Sequence, residues 1–102
     1  MNNKRLELHN ILVGLLESSN VYFQPPCTVK MQYPCIIYAR NRVSTTYADN
    51  LPYNHRVCYI VTVIDSNPDS DIPSRIGTLP LCKFDRHYTA DNLNHDVYNI
   101  YY

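Results

Sequence analysis

The chain has 102 residues and a mass of 11.9 kDa, with nine Lys and Arg against nine Asp and Glu and a formal charge of zero. That is one domain, residues 1–102. It excludes a nucleic-acid binder that relies on bulk positive charge, and it excludes an acidic tail. A chain of this mass exposes roughly 17,000 Å² unfolded and about 6,000 Å² folded, so it can bury a core; no apolar run approaches the ~18 residues of a membrane helix.

Residues 4–18 read as an amphipathic helix. Leu8, Ile11, Leu12, Leu15 and Leu16 recur at three- and four-residue spacing, with Glu7, Asn10 and Glu17 elsewhere. Asn20 is the expected left-handed cap. The polar start and the periodic apolar stretch after it do not read as a secretory signal. Val21-Tyr22-Phe23-Gln24 is a short strand ended by Pro25-Pro26, and Pro34 opens a second strand over residues 35–40. Residues 41–55 are polar and carry aromatics at intervals, which predicts a long, functional loop. Residues 56–65 (Arg-Val-Cys-Tyr-Ile-Val-Thr-Val-Ile-Asp) are apolar on both alternating faces, the pattern of a central strand. One face is expected to meet the first helix, the other a second helix or a neighbouring subunit.

Ser66-Asn67-Pro68 is a turn. Residues 69–79 hold a short helix capped by Asp69 or Asp71, with Pro73 in the first turn and Ile72, Ile76 and Leu79 on one face. Residues 81–88 and 95–102 alternate as two further strands around a turn over 89–94. The order α-β-β-β-α-β-β is an α+β domain with a mostly antiparallel sheet. Ala48-Asp49-Asn50-Leu51 recurs as Ala90-Asp91-Asn92-Leu93; Asp-Asn is a good turn opener, and no longer period supports a repeated unit.

Two glycines, ten tyrosines and four cysteines complete the composition. With so little glycine, positive-φ positions are expected on Asn or Asp: Asn41, Asn50, Asn54, Asn67, Asn92 and Asn94. Tyrosine joins an apolar ring to a polar tip and suits surfaces buried against polar-rimmed partners. Cys27, Cys35, Cys58 and Cys82 form no C-x-x-C pair and match no zinc spacing. Cys35 and Cys58 fall in apolar strands, so free thiols are expected, with a disulfide or a metal module as alternatives. His87 and His95 flank one turn near Asp85 and Asp91, a metal signal without a third ligand. No H-E-x-x-H, G-x-S-x-G, Walker or G-x-G-x-x-G motif occurs. No catalytic residue, cofactor site or metal site is assigned. Arg40, Arg42 and Arg56, close in sequence to Tyr38, Tyr47 and Tyr53, fit protein contacts better than single-stranded nucleic acid, because the net charge is zero. A small, neutral, tyrosine-rich domain fits a subunit of an assembly. Two ring patches of about 800 Å² would cover roughly a quarter of the folded surface.

Several stretches carry a resemblance: Asn20-Val21-Tyr22-Phe23-Gln24-Pro25-Pro26, Met31-x-Tyr33-Pro34-Cys35-Ile36-Ile37-Tyr38, Tyr47-Ala48-Asp49-Asn50-x-Pro52-Tyr53, Val61-Thr62-Val63-Ile64-Asp65-x-Asn67-Pro68-Asp69-Ser70 and Phe84-Asp85-Arg86-x-Tyr88-Thr89-Ala90-Asp91-Asn92-Leu93-Asn94-His95. Together they resemble the tail-terminator or tail-completion proteins of tailed bacteriophages, neck proteins also labelled minor capsid proteins. The resemblance implies a tail-terminator-like fold and a structural virion protein without enzymatic activity, assembled in the host cytoplasm. It implies a ring, usually a homo-hexamer, that caps the tail tube, ends its polymerisation and meets the head-side connector. Genome DNA passes through the lumen without sequence reading. A head-side connector or stopper is the alternative within the neck. Glu and Lys are sparser here than the family's habit, so charged intersubunit pairs fall mainly to Arg and Asp. The expected interface residues are Arg40, Arg42, Tyr47, Asp49, Asn50, Tyr53 and Arg56 in the 41–55 region, with Tyr101 and Tyr102 on a C-terminal strand expected at a sheet edge.

Overall fold

A computed structural model describes residues 4–25, 30–48 and 51–102, with backbone alone for 42–48 and 51–56. Seven elements follow in the order α-β-β-β-α-β-β: α1 (Lys4–Leu16), β1 (Val21–Phe23), β2 (Cys35–Ala48), β3 (Leu51–Asp65), α2 (Ile72–Gly77), β4 (Cys82–Ala90) and β5 (Leu93–Tyr101). The fold is α+β. The strands form one sheet in the order β1-β2-β3-β5-β4. β1 runs parallel to β2, and every other neighbouring pair is antiparallel.

Leu8, Leu12 and Leu16 of α1 are buried because they repeat every four residues and stay on one face. They meet Ile36 and Tyr38 of β2, Tyr59, Val61 and Val63 of β3, and Tyr98 and Ile100 of β5. Those strand positions are two apart, so they share one side of the sheet. Ile72 and Ile76 of α2 join the same core. Both helices therefore lie on one face. Cys35, Cys58, Ile64 and Val97 are buried on the other, which no helix covers. Of the two covers expected for the second face of β3, the second helix is excluded.

The helix ends differ in detail from the sequence reading. α1 stops at Leu16, and its left-handed residue is Glu17 (φ 60°), not Asn20. Asn20 instead ties β1 to β2: its carbonyl accepts the Ile36 N–H at 3.0 Å. Asp71 stands at the N-cap of α2, but its carboxylate accepts from Arg75 at 3.1 Å, and the Ser70 hydroxyl oxygen accepts the Ile72 N–H at 3.3 Å. Positive φ falls on Asp91 and Asn92, the two-residue turn between β4 and β5, and also on Glu17, Gln24 and Leu81. Asn41 and Asn54 lie in strands, and Asn94 is the second residue of β5, opposite Thr89.

The largest departure concerns residues 41–55. Residues 41–48 and 51–55 are strand and not loop. β2 and β3 continue as one antiparallel pair from Cys35↔Ile64 to Ala48↔Leu51, with register shifts at Arg40/Arg42 and Thr46/Tyr47. The run is polar yet rich in Thr, Val and Tyr, residues that suit an extended backbone. Hydrophobic patterning misses it because no apolar face marks it.

A second departure is the place of the C-terminal strand. β5 is internal, paired with β3 from Cys58↔Tyr101 to Asp65↔Asn94 and with β4 on its other side. Its apolar residues on both faces, Val97 against Tyr98 and Ile100, are buried in that position. The sheet edges are β1 and β4.

Replacing Leu12, which is fully buried, by Ala is expected to cost about 2–5 kcal/mol through lost burial and the cavity left behind. Leu6→Ala, at a largely exposed position of the same helix, is expected to change stability by less than about 0.5 kcal/mol. Urea unfolding of the two variants checks the assignment of helix faces.

Candidate functional site

The outer half of the β2–β3 pair is the most unusual feature of the molecule. β1 reaches only Ile36–Tyr38 on β2, and β5 reaches only Cys58 on β3. Past those points residues 42–48 and 51–56 pair with each other and, among the described residues, with no third strand. At ~3.3 Å per residue the ribbon is roughly 23 Å long. It accounts for a body 50 Å long but only 25 by 23 Å across, and for a surface of 6698 Å², above the ~6,000 Å² scaling value. A two-stranded ribbon alone in water is marginal.

The expected interface residues gather on this ribbon and its root. Arg40 is exposed opposite Tyr59, with its N–H donating to Gln24 Oε1 at 3.3 Å. Arg42 stands opposite Cys58, and Arg56 opposite Ser44, so the two arginines stand two cross-strand rows apart, with Val43↔Val57 between them. Tyr47 stands opposite Pro52, and Tyr53 falls at the register shift beside it. Asp49 and Asn50 lie outside the described residues, as does Cys27. Tyr101 meets Cys58 from the β5 side, which brings it into one row with Arg42. Tyr102 donates its N–H to the Val57 carbonyl at 3.0 Å. With Lys4, Glu7, Pro80 and Leu81, the two C-terminal tyrosines line a groove of about 440 Å³ at the ribbon's root.

The sequence reading missed a second surface. β4 is exposed along nearly its whole length, and Leu81, Phe84 and Tyr88 show 55%, 52% and 42% of their surface to solvent. Phe84 contacts Tyr98 edge-on at 5.4 Å, while Tyr88 stacks on His95 at 4.6 Å and 11°. The shift at Asp85 lets both rings find a β5 partner, since it moves the strand one step between Phe84 and Arg86. The signal available in the sequence was an aromatic pair four residues apart within a charged strand.

The histidines separate. His87 Nδ1 lies 2.8 Å from Asp96 Oδ1, whereas His95, the neighbour of Asp96, stacks on Tyr88. Adjacent strand residues point to opposite faces, so the two histidines do not converge. Among the described residues no group of three His, Cys, Asp or Glu side chains could hold a metal ion. Both copies of the Ala-Asp-Asn-Leu tetrapeptide do the same local job: Ala48↔Leu51 and Ala90↔Leu93 are the closing pairs of the two hairpins.

Beneath the sheet, Tyr38 is fully buried, yet its hydroxyl is satisfied by Arg5 Nη1, which donates at 3.3 Å, and by His9 Nδ1 at 2.7 Å. Burial pushes its pKa up, and the Arg5 guanidinium offsets part of that. Arg5 also lies over the Phe23 ring at 4.4 Å. These groups lock α1 to β1 and β2. No family model, curated protein or solved structure matches this chain.

Cys35 and Cys58 are fully buried free thiols, and Cys82 is half-buried. Burial, with the Asp65 charge adding to it, pushes the Cys35 thiol up to about 11 from 9.0. A pKa raised by folding means that the associated stability is whole below pH 9 and is lost as pH climbs from 9 to 11. Native protein at pH 7.5 is expected to react with a thiol reagent at Cys82 well before Cys35, and Cys35→Ala to flatten the alkaline loss of stability. Equal labelling of Cys35 and Cys82 in the native state would contradict the burial.

Proposed function

We propose that this chain is a structural protein of a tailed-phage neck, a ring subunit that caps the tail tube, ends its polymerisation and joins the tail to the head-side connector. The observation that carries the reading is the bare ribbon, because a two-stranded extension with no cover of its own acquires stability when a partner covers it. The sequence stretches resembling tail-terminator proteins support the same role. So does a neutral, low-charge surface with exposed aromatics concentrated on β4. The proposed interface comprises Arg40, Arg42, Tyr47, Asp49, Asn50, Tyr53 and Arg56, together with β4. Tyr101 and Tyr102 belong to it through the groove at the ribbon's root and not through a free strand edge.

The mechanism is one of surfaces. A tube grows because each ring offers the next a complementary face. A terminator binds that face and presents a different one outward, so no further tube ring fits. The lumen passes DNA without base contacts, which requires no basic channel reading sequence. Catalysis has no part in the role.

Removing the chain from the virus that encodes it is expected to leave tails of uncontrolled length that do not join full heads, visible by negative-stain microscopy. Normal particles in its absence would end the proposal. Deleting residues 46–51 is expected to abolish ring formation while the truncated body still unfolds cooperatively. Rings of normal size from that deletion would remove the ribbon from the interface.

A further inference from the structure

The charges that cancel over the whole chain are separated along its length. At the ribbon end stand Lys4 and Arg5 on the first turn of α1, and Arg40, Arg42 and Arg56 on β2 and β3; Glu7 and Asp49 are the acids of the same stretches. At the opposite end stand Glu17, Asp65, Asp69, Asp71 and Asp91. The register fixes this arrangement. Asp65 pairs with Asn94 at the end of β3 away from the ribbon, beside the turn that holds Asp91. α1 runs from one end to the other: Lys4 lines the groove with Tyr102, and Leu15 accepts from Arg75 of α2 at 3.0 Å. The negative end of its macrodipole therefore adds to the acidic pole. Arg75 is already engaged there, 3.5 Å from Glu17 and 3.1 Å from Asp71. Asp65, Asp69 and Asp91 make no ion pair among the described residues.

We propose that the basic ribbon of one copy docks on the acidic pole of a second copy, so that the chains associate head to tail. Charge complementarity chooses the occupant: a second copy supplies the acidic surface that the ribbon lacks. The same charges disfavour a ribbon-on-ribbon contact, which would bring together the basic ends of two copies. A head-to-tail contact uses two different patches per copy and generates a closed ring or an open filament. Long-range attraction between opposite poles speeds the encounter at low salt and is screened within about 10 Å at 0.1 M. The contact deepens the ring reading above and shares with it only self-association.

The test is a charge swap on the full chain. Arg42→Glu with Arg56→Glu gives a variant whose ribbon and pole are both acidic. Glu17→Lys with Asp69→Lys, both at exposed positions, gives one whose ribbon stays basic and whose pole no longer carries net negative charge. Circular dichroism and thermal melting check that each variant folds. By sedimentation at 50 mM salt the wild type is expected to form oligomers whose dissociation constant rises roughly tenfold or more at 500 mM. Each variant alone is expected to sediment as a monomer, and the equimolar mixture to form oligomers containing both. Wild-type protein that stays monomeric at low salt, folded variants that assemble like wild type, or a mixture that stays monomeric would each overturn the docking. A successful swap in a chain absent from virions would leave the docking intact and remove the phage role. A failed swap in a chain present in virions would do the reverse.

Discussion

The antiparallel pairing of β2 with β3 is the constraint on which the rest of the molecule depends. Its inner half, from Cys35↔Ile64 to Arg40↔Tyr59, is the middle of the sheet and carries the core residues Ile36, Tyr38, Tyr59, Val61 and Val63. Its outer half carries none of that core. One ladder of backbone hydrogen bonds thus joins the buried core to a two-stranded extension that, among the described residues, no third strand flanks. The helices confirm the division. α1 and α2 cover the inner half from one side, Arg75 ties their ends together through the Leu15 carbonyl, and neither supplies a core residue beside the ribbon.

The sequence revealed the parts of this arrangement that burial dictates. The four-residue repeat of Leu8, Leu12 and Leu16 marks a helix lying on a sheet. The two-faced apolar run around Val61 marks a central strand. The Asp91-Asn92 turn between two alternating runs marks one tight hairpin. What stayed hidden depends on contacts distant in sequence. Nothing in residues 93–101 says that they insert between β3 and β4, because an internal strand and a packed edge strand share an apolar pattern. The ribbon stayed hidden for the opposite reason: its sequence carries no apolar alternation, so no periodicity records the pairing. Of the site, the arginines and tyrosines of the ribbon were legible as types that suit contacts, whereas the exposed face of β4 emerged only with the strand order.

The edge strands of the sheet and the flanks of the ribbon are managed differently. β1 is three residues long and offers little backbone to another chain. β4 is nine residues long, but it carries Lys83, Asp85 and Arg86 and a register shift in its middle, devices that blunt strand addition. The ribbon has two edges, no bulge between Arg42 and Thr46, and no acid among residues 42–48. A fold that protects one long edge and leaves another bare has placed its capacity for association at one end.

Zero net charge therefore carries a different meaning here than in a uniformly mixed surface. A balanced, interspersed surface repels and attracts other copies equally and keeps a domain solitary. The same balance split between two regions of the chain favours relative orientations of two copies that bring unlike regions together. Composition alone excludes bulk electrostatics, but it is the order of charges along the chain, laid out by the β2–β3 ladder and the lengthwise run of α1, that gives the molecule a direction. Direction is what a ring subunit needs, because a surface that recognises itself closes at two copies, whereas one that recognises its opposite continues until geometry closes it.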